Sequence, residues 1–303
     1  YSNGTNSSTN AKISEVILYN KPLTTGDATK VRNYLSTKHS ITLETPPEIK
    51  TANAWFDASY GISDNVGAVL KWQSRHGSLS ALPGASAPTW SATGGNNNTP
   101  SVAFDGTDDY FRVADNALLS NTEASIFLVL KSNTASAYDG TIISNHRDWD
   151  ASNPSDKGFN ISTTDDNGSF QLQSETASTN HSSYHTWSKG TDWFILELTY
   201  SSGWVVKYNG ETISSASTSG SAPAVLPTTY TNPEFMIGAA VASAGGSTSN
   251  RFNGAIADII LYDKVLTDAD ANTVRGHLSE KHNITLAEPS QLSSALTWWD
   301  PDQ

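Results

Sequence analysis

Apolar residues occur in short runs that polar turn residues separate along most of the chain. One of them, Ala124–Lys131, is continuous, and a run of this kind is typical of a strand covered on both faces. Trp193–Tyr200 and Trp204–Tyr208 follow, and Asn209-Gly210 then provides the residues that favour a type I′ hairpin turn. Short strands at this spacing, with no long helices between them, indicate a β-sandwich or a barrel.

More strands and one helix complete the pattern. Ser101–Phe104 and Tyr110–Val113 flank an Asp-Gly pair, which predicts two strands around a tight turn. Ile256–Tyr262 is a further strand. Thr267 precedes a segment of helical spacing, with Asp270 three positions later as in a capped helix start. We expect this helix to pack one face on the edge of the sandwich.

The chain repeats part of its own sequence at a fixed distance. Ile13–Leu43 and Ile256–Leu286 align without gaps, are identical at 18 of 31 positions and lie 243 residues apart. The match resumes at the same offset between Ala54–Asp57 and Thr297–Asp300. This period far exceeds the roughly 20–50 residues of solenoid repeats, so each unit is a whole domain.

The repeat predicts how the chain is divided. Prolines at 46, 47 and 289 mark the joints, because proline stiffens a linker and ends a strand. The predicted segments are the C-terminal part of a preceding repeat (1–45), a linker (46–54), one complete domain (55–286), a second linker (287–294) and the start of a following repeat (295–303).

Four stretches resemble the bacterial laminin-G-like, concanavalin A-like lectin/glucanase superfamily. They are Trp55–Ser59, Val69–Ser74, Pro100–Tyr110 and Ala257–Tyr262. The resemblance implies an all-β fold, a two-sheet antiparallel jelly-roll sandwich with one short helix near the end of the repeat unit. Lectins, adhesion modules and glycosidases share this fold, so the fold alone leaves the function open.

Composition narrows the function classes. The chain has no cysteine and one methionine, which excludes disulfides and thiolate chemistry and favours a bacterial extracellular or cell-surface protein. A formal net charge of −12 argues against nucleic acid, which requires a basic surface. The sequence contains no run of 18 apolar residues, so we expect no membrane insertion in this segment.

The sequence gives no support for catalysis. Glucanases on this fold resemble one another in a Glu-x-Asp-x-x-Glu strand, and the chain has no such segment. Glu197 stands alone in its strand and is predicted to be an edge or surface carboxylate. Asp258 is replaced by Glu15 in the other copy, which suits a structural role, and we expect capping or packing roles for His39 and His282. We therefore predict that the protein is not an enzyme and has no catalytic site.

One acidic loop is a candidate calcium site. Calcium prefers six to eight oxygen ligands, which acidic loops supply. The candidate ligands are Asp148, Asp150, Asn153 and Asp156. Asp165–Gly168 is a second acidic turn, which a type I turn with solvated acids explains equally well.

A neighbouring set of aromatic residues is a candidate glycan site. Aromatic rings stack on the apolar faces of sugars, and their polar ends form hydrogen bonds. Trp187 could instead begin a strand and be buried. The candidate contacts are Trp149, Tyr184, His185 and Trp187.

The first copy contains one strong strand, formed by Val16, Ile17, Leu18 and Tyr19. An isolated strand exposes unpaired backbone groups, so it must join a sheet. A neighbouring repeat or an identical subunit, arranged head to tail, would provide that sheet. The alternative is that the segment lies on its own chain.

These observations predict a non-catalytic tandem-repeat module of a large extracellular surface protein. Its role would be that of a structural or assembly unit in an adhesin-like array or filament. The alternative is a calcium-assisted, lectin-like module that binds glycans. A glycoside hydrolase is less favoured.

Overall fold

The structure is a computed structural model. It describes residues 13–20, 31, 34, 35, 38, 39, 41, 49–114, 122–133, 140–145, 158–163, 169–175, 180–186, 190–222, 235–241, 248–287 and 297–299. The helical elements with complete bounds are α1 (Asp268–His282) and the 3₁₀ turns Ile49–Thr51 and Asn96–Asn98. The strands are β1 Val16–Leu18, β2 Ala54–Asp57, β3 Ile62–Asn65, β4 Ala68–Gln73, β5 Ser80–Pro83, β6 Thr89–Ser91, β7 Ser101–Asp105, β8 Phe111–Val113, β9 Glu123–Ser132, β10 Thr141–Ser144, β11 Gly158–Thr163, β12 Ser169–Glu175, β13 Asn180–Thr186, β14 Phe194–Ser201, β15 Trp204–Tyr208, β16 Glu211–Ile213, β17 Ser215–Ser219, β18 Phe235–Ile237, β19 Ala240–Val241, β20 Thr248–Ser249, β21 Asn253–Tyr262 and β22 Thr297–Trp299.

The main strands form two antiparallel sheets. The helix-side sheet has the order β6-β7-β21-β9-β14-β15-β16, and β2 pairs with β21 on the same edge as β7. The open sheet has the order β3-β4-β5-β8-β18-β10-β11-β12-β13-β17. A pairing of Ala68 with Thr89 joins the two sheets at one corner. The predicted all-β two-sheet sandwich is thus confirmed.

The core lies between the two sheets. Leu128 and Leu196 from the helix-side sheet and Leu172 from the open sheet are fully buried in one cluster. Phe104 on β7 and Phe111 on β8 belong to opposite sheets, and their rings meet edge to face with centroids 5.8 Å apart. Each such side chain stabilises the fold by about 1.5–3 kcal/mol through burial.

Helix α1 covers the outer face of the helix-side sheet. Phe127, Val129 and Ile195 project from that face and pack with Val274 and Leu278 of the helix. This confirms that β9 is covered on both faces, whereas the expected position of the helix at a sandwich edge is wrong. In the described part of the chain, no helix is both long and apolar enough to cross a membrane.

Local turn signals predicted some connections and not others. Thr267 caps the helix as expected, and its hydroxyl accepts a hydrogen bond from the Asp270 amide at 3.2 Å. Asn209 and Gly210 have φ angles of 46° and 90° and join β15 to β16 in a hairpin. The predicted pairing of the strands on either side of Asp105 is wrong, because β7 pairs with β6 and β21 while β8 pairs with β5 and β18.

Strand β1 pairs within its own chain. Its partner is β22, with Val16 opposite Trp299, Ile17 opposite Trp298 and Leu18 opposite Thr297. Tyr19 lies just outside the strand. A neighbouring chain is therefore not needed to satisfy this backbone, and the head-to-tail filament loses the unpaired strand that motivated it.

Candidate functional site

The outer face of the open sheet is polar, and we call it the polar face. Side chains alternate along each strand, so the residues between the core positions project to this face. The strand pairing sets these residues in two rows. One row contains Arg112, Met236, Ser144, Asn160, Gln173 and Ser182, and the other contains Ser162, Gln171, Tyr184 and Ser217.

Amide and hydroxyl groups dominate the centre of the polar face. Gln171 and Tyr184 are half-buried, and the Gln171 side-chain amide donates to the Tyr184 hydroxyl at 2.8 Å. Asn160 is 5% exposed, and its amide donates to Gln173 over a long 3.5 Å. The Asn160 Oδ1 is buried and has no hydrogen-bond partner among the described residues. Met236, Ser144, Ser162 and Ser182 of the same rows are at most 5% exposed. The donors and acceptors that a polar ligand can reach directly are therefore those of the exposed and partly exposed side chains, among them Arg112, Gln171, Gln173 and Tyr184.

The predicted glycan contacts fall in three places. Tyr184 lies on the polar face. His185 is its neighbour on β13 and faces the interior, where it is 3% exposed and lies 3.1 Å from the Ile213 carbonyl oxygen. Burial lowers the pKa of His185. His185 is therefore not placed to touch a ligand on the polar face, and this corrects its assignment as a contact. Trp149 and Trp187 lie outside the described residues.

The calcium prediction is not addressed by the described residues. Its four ligands, Asp148, Asp150, Asn153 and Asp156, all lie in the range 146–157, which the structure does not describe. The loop stays a prediction.

Three other acids come together at the end of β7 and in the turn that follows it. Ligand oxygens of Asp105, Asp108 and Asp109 lie within 4.8 Å of one another. Asp105 accepts from the Thr107 amide at 2.7 Å, and Asp109 accepts from the Asp105 amide at 3.1 Å. The hydrogen bond from Thr107 holds the pKa of Asp105 below its usual value, while burial and then Asp105 raise the pKa of Asp109. These hydrogen bonds stabilise the turn through its own carboxylates.

A second cleft lies beside α1, and we call it the helix-side cleft. Its volume is about 470 Å³. Its lining residues include Trp55, Asp57, Tyr60, Arg75, His76, His277 and Lys281. Asp57 and Asp258 stand opposite each other on β2 and β21, and both are buried.

The charges in this cleft satisfy one another. The Lys281 ammonium lies 2.8 Å from Asp57 and 2.9 Å from Asp258. The Trp55 indole donates to Asp258 at 2.6 Å, and His282 also hydrogen-bonds this carboxylate. Although burial opposes it, Lys281 and His282 hold the pKa of Asp258 well below its usual range. The network ties β2 to β21 and α1, which are the first strand, the last strand and the helix of the predicted unit.

Arg75 closes the outer side of the same network. Its Nε donates to Asp57 at 2.7 Å. Its guanidinium lies 4.8 Å from the Trp55 ring centre and 4.5 Å from that of Tyr60, within the range of cation–π attraction. Because Asp57 and Asp258 are paired with Arg75 and Lys281, this charge network stabilises the fold.

The first copy contains a matching set of charges. Glu15 stands at the position equivalent to Asp258, and Lys38 and His39 match Lys281 and His282. His39 lies 2.7 Å and Lys38 3.7 Å from the Glu15 carboxylate. The contacts agree with the structural roles expected for Asp258, His39 and His282.

Glu197 is buried, so the prediction that it is an edge or surface carboxylate is wrong. It is 2% exposed beneath α1, and it accepts a hydrogen bond from Arg275 Nε at 2.7 Å. Lys207 lies 3.3 Å from its other oxygen, and Arg275 also bonds Asn272. The helix places a cation over an acid that would otherwise face water.

His277 makes the stability of the fold sensitive to pH. Its ring lies 6.2 Å from that of Trp55, and its Nδ1 is buried without a partner among the described residues. Burial lowers the pKa of His277 to about 4. Between about pH 6.5 and 4, the His277 ring is protonated in the unfolded chain but not in the folded chain. The free energy of unfolding therefore decreases as the pH falls through this range.

We therefore expect His277→Phe to flatten the decline of the melting temperature between pH 7 and 4. A residual slope remains, because burial also lowers the pKa values of His76 and His185. Thermal unfolding of both proteins across this range checks the prediction. Parallel curves would show that His277 does not contribute.

Comparisons with known proteins identify the family. Residues 105–272 match the family model described as the concanavalin A-like lectin/glucanases superfamily. No curated protein matches the chain. The botulinum neurotoxin serotype D/C binding domain has a similar fold, with 13% identity and a TM-score of 0.50, over 76% of this chain and 53% of that one. Domain 4 of AbnA, an extracellular arabinanase from Geobacillus stearothermophilus solved with arabinotriose, shows 17% identity and a TM-score of 0.49 over 74% of this chain and 98% of that domain. The resemblance to this superfamily is confirmed over residues 105–272, which is more than half of the chain, and the chain belongs to the concanavalin A-like lectin/glucanase superfamily.

Proposed function

We propose that this chain is a non-catalytic carbohydrate-binding module that holds a neutral oligosaccharide on the polar face. The observation that carries the proposal is the pair of amide and hydroxyl rows, at whose centre the buried Asn160 Oδ1 has no partner among the described residues. A buried acceptor without a hydrogen bond costs about 1–3 kcal/mol. A sugar hydroxyl both donates and accepts, so it matches Asn160, Gln171 and Gln173.

Charge favours a neutral ligand. The central side chains of the polar face, namely Asn160, Gln171, Gln173 and Tyr184, carry no charge. Arg112 stands at one end of its row, and its guanidinium lies 5.4 Å from the Tyr110 ring centre. The whole chain has a formal net charge of −12, which repels acidic polymers. An uncharged sugar is not repelled by the net negative charge of the chain. Among the described residues, the centre of the polar face has no charged side chain that such a sugar would leave without a partner.

The disposition of the acids favours binding over hydrolysis. Glycosidases place two carboxylates about 5–9.5 Å apart across the scissile bond. In the described strands β10 to β13 and β17, Glu175 is the one acidic residue. The buried acids of the helix-side sheet are each paired with a cation. Asp57 pairs with Arg75, Glu197 with Arg275 and Asp258 with Lys281. These pairings supply neither a free nucleophile nor a protonated acid.

Calcium and an extracellular location belong to the same proposal. The Asp148–Asp156 loop provides oxygen ligands of the kind calcium prefers. The absence of cysteine from the sequence suits a surface protein whose stability does not depend on redox conditions. The internal repeat supports a second role as one unit of an extracellular array.

A glycan-array screen of the chain tests the proposal, with millimolar calcium in one arm and a chelator in the other. We expect retention of neutral oligosaccharides, and weaker retention in the chelator arm if the acidic loop contributes. Chromatography of each retained glycan after incubation checks catalysis. The proposal fails if no glycan is retained, or if the retained glycan is cleaved.

A further inference from the structure

The terminal segments of the chain reproduce a contact of the complete unit. In the complete unit β21 pairs with β2, and Leu261 stands opposite Ala54. At the ends of the chain β1 pairs with β22, and Leu18 stands opposite Thr297. Both members of the second pair are offset by 243 residues from their counterparts in the first. The strand register is therefore the same in both places.

The side chains around the acceptor strand are also reproduced. In the complete unit, the last strand carries Asp258, which Lys281 and His282 of the helix contact. Beside β1, Glu15 is 2.7 Å from His39, and its side chain is 2% exposed. The match therefore includes a buried carboxylate with its histidine partner as well as the backbone ladder.

From this match we infer that strand β1 is an acceptor for the first strand of a repeat unit other than its own, and that it joins one copy of this chain to a second copy. The strand it holds, Thr297–Trp299, belongs to a different repeat from the acceptor. The contact thus forms between two strands that do not belong to the same repeat unit. The strand β22 of a second chain has the same sequence, so it can pair with β1 in the same way.

The terminal pair is suited to exchange. Among the described residues, β1 and β22 form a sheet of two strands, and two strands alone are marginally stable in water. Val16 is 38% and Leu18 55% exposed. Closure within one chain benefits from a high effective concentration, so exchange between chains increases with protein concentration.

Cysteine trapping tests this inference cleanly, because the chain has no cysteine of its own. Directly opposed residues of antiparallel strands have Cβ atoms about 4.5–5.5 Å apart, close enough for a disulfide after slight adjustment. Leu18→Cys and Thr297→Cys are first combined in one chain. Under mild oxidation of a dilute solution, we expect a disulfide within the monomer, which peptide mapping identifies.

The two substitutions are then placed in separate chains that differ in mass and are mixed at high concentration. We expect the mixed disulfide dimer to exceed several-fold that formed by Val66→Cys and Thr297→Cys chains. Val66 is fully exposed and reports random collision. A double variant without the internal disulfide would overturn the register, and mixed chains no better than the Val66 control would overturn the exchange. Neither result depends on glycan binding.

Discussion

Replacing Asp258 with asparagine is expected to lower the free energy of unfolding by about 3–5 kcal/mol, as removal of one partner from a buried charge pair does. The change leaves the Lys281 ammonium with Asp57 alone and removes the anion that His282 contacts. An amide has nearly the same size as the carboxylate it replaces, so the loss reports charge and hydrogen bonding. Urea unfolding measures it.

The matched control is Asp64→Asn, because Asp64 is exposed on β3. We expect a change within about 0.5 kcal/mol for this control, as for most surface substitutions. Acid titration adds an independent check. The folded-state pKa of Asp258 is lowered, so its contribution is present above pH of about 4 and is lost as the pH falls further. Equal losses in the two variants would show that Asp258 does not hold the unit together.

Arg275→Met is expected to cost a similar amount, about 3–5 kcal/mol, because it leaves Glu197 buried beneath the helix with its bond to Lys207 alone. The double variant Glu197→Leu/Arg275→Met removes both charges and replaces them with apolar groups. We expect it to recover most of the lost stability, since a buried pair and an apolar pair of similar volume are often equally stable.

A double-mutant cycle from urea unfolding of the four proteins gives the interaction free energy. An additive cycle, in which the double variant is as unstable as the two single losses combined, would contradict the paired arrangement. Far-UV circular dichroism of each variant confirms that the sandwich has formed before the comparison is made.

The parts of the fold that depend on local sequence could be predicted. The apolar run Ala124–Lys131 became β9, Thr267 capped the helix and Asn209-Gly210 formed a hairpin. Pairing between distant segments could not be predicted in the same way. The turn after Asp105 carries the chain from one sheet to the other, and a local turn signal does not specify the partner of either strand.

Burial of polar residues was harder still to predict. Glu197 meets Arg275, which is 78 positions away, and only the position of the helix brings them together. The polar strands β11 to β13 lack an apolar run, so they were missed. The alternation in Phe170-Gln171-Leu172-Gln173 was the available signal, because a period of two predicts a strand with one polar face.

Calorimetric titration of the retained glycan into two tyrosine variants shows which surface binds the glycan. Tyr184 lies on the polar face, and Tyr60 is an exposed tyrosine in the helix-side cleft. We predict that Tyr184→Ala weakens binding about ten-fold or more, a change of about 1.4 kcal/mol, and that Tyr60→Ala leaves the affinity unchanged. If Tyr60→Ala abolishes binding while Tyr184→Ala preserves it, the glycan occupies the helix-side cleft and the account is contradicted.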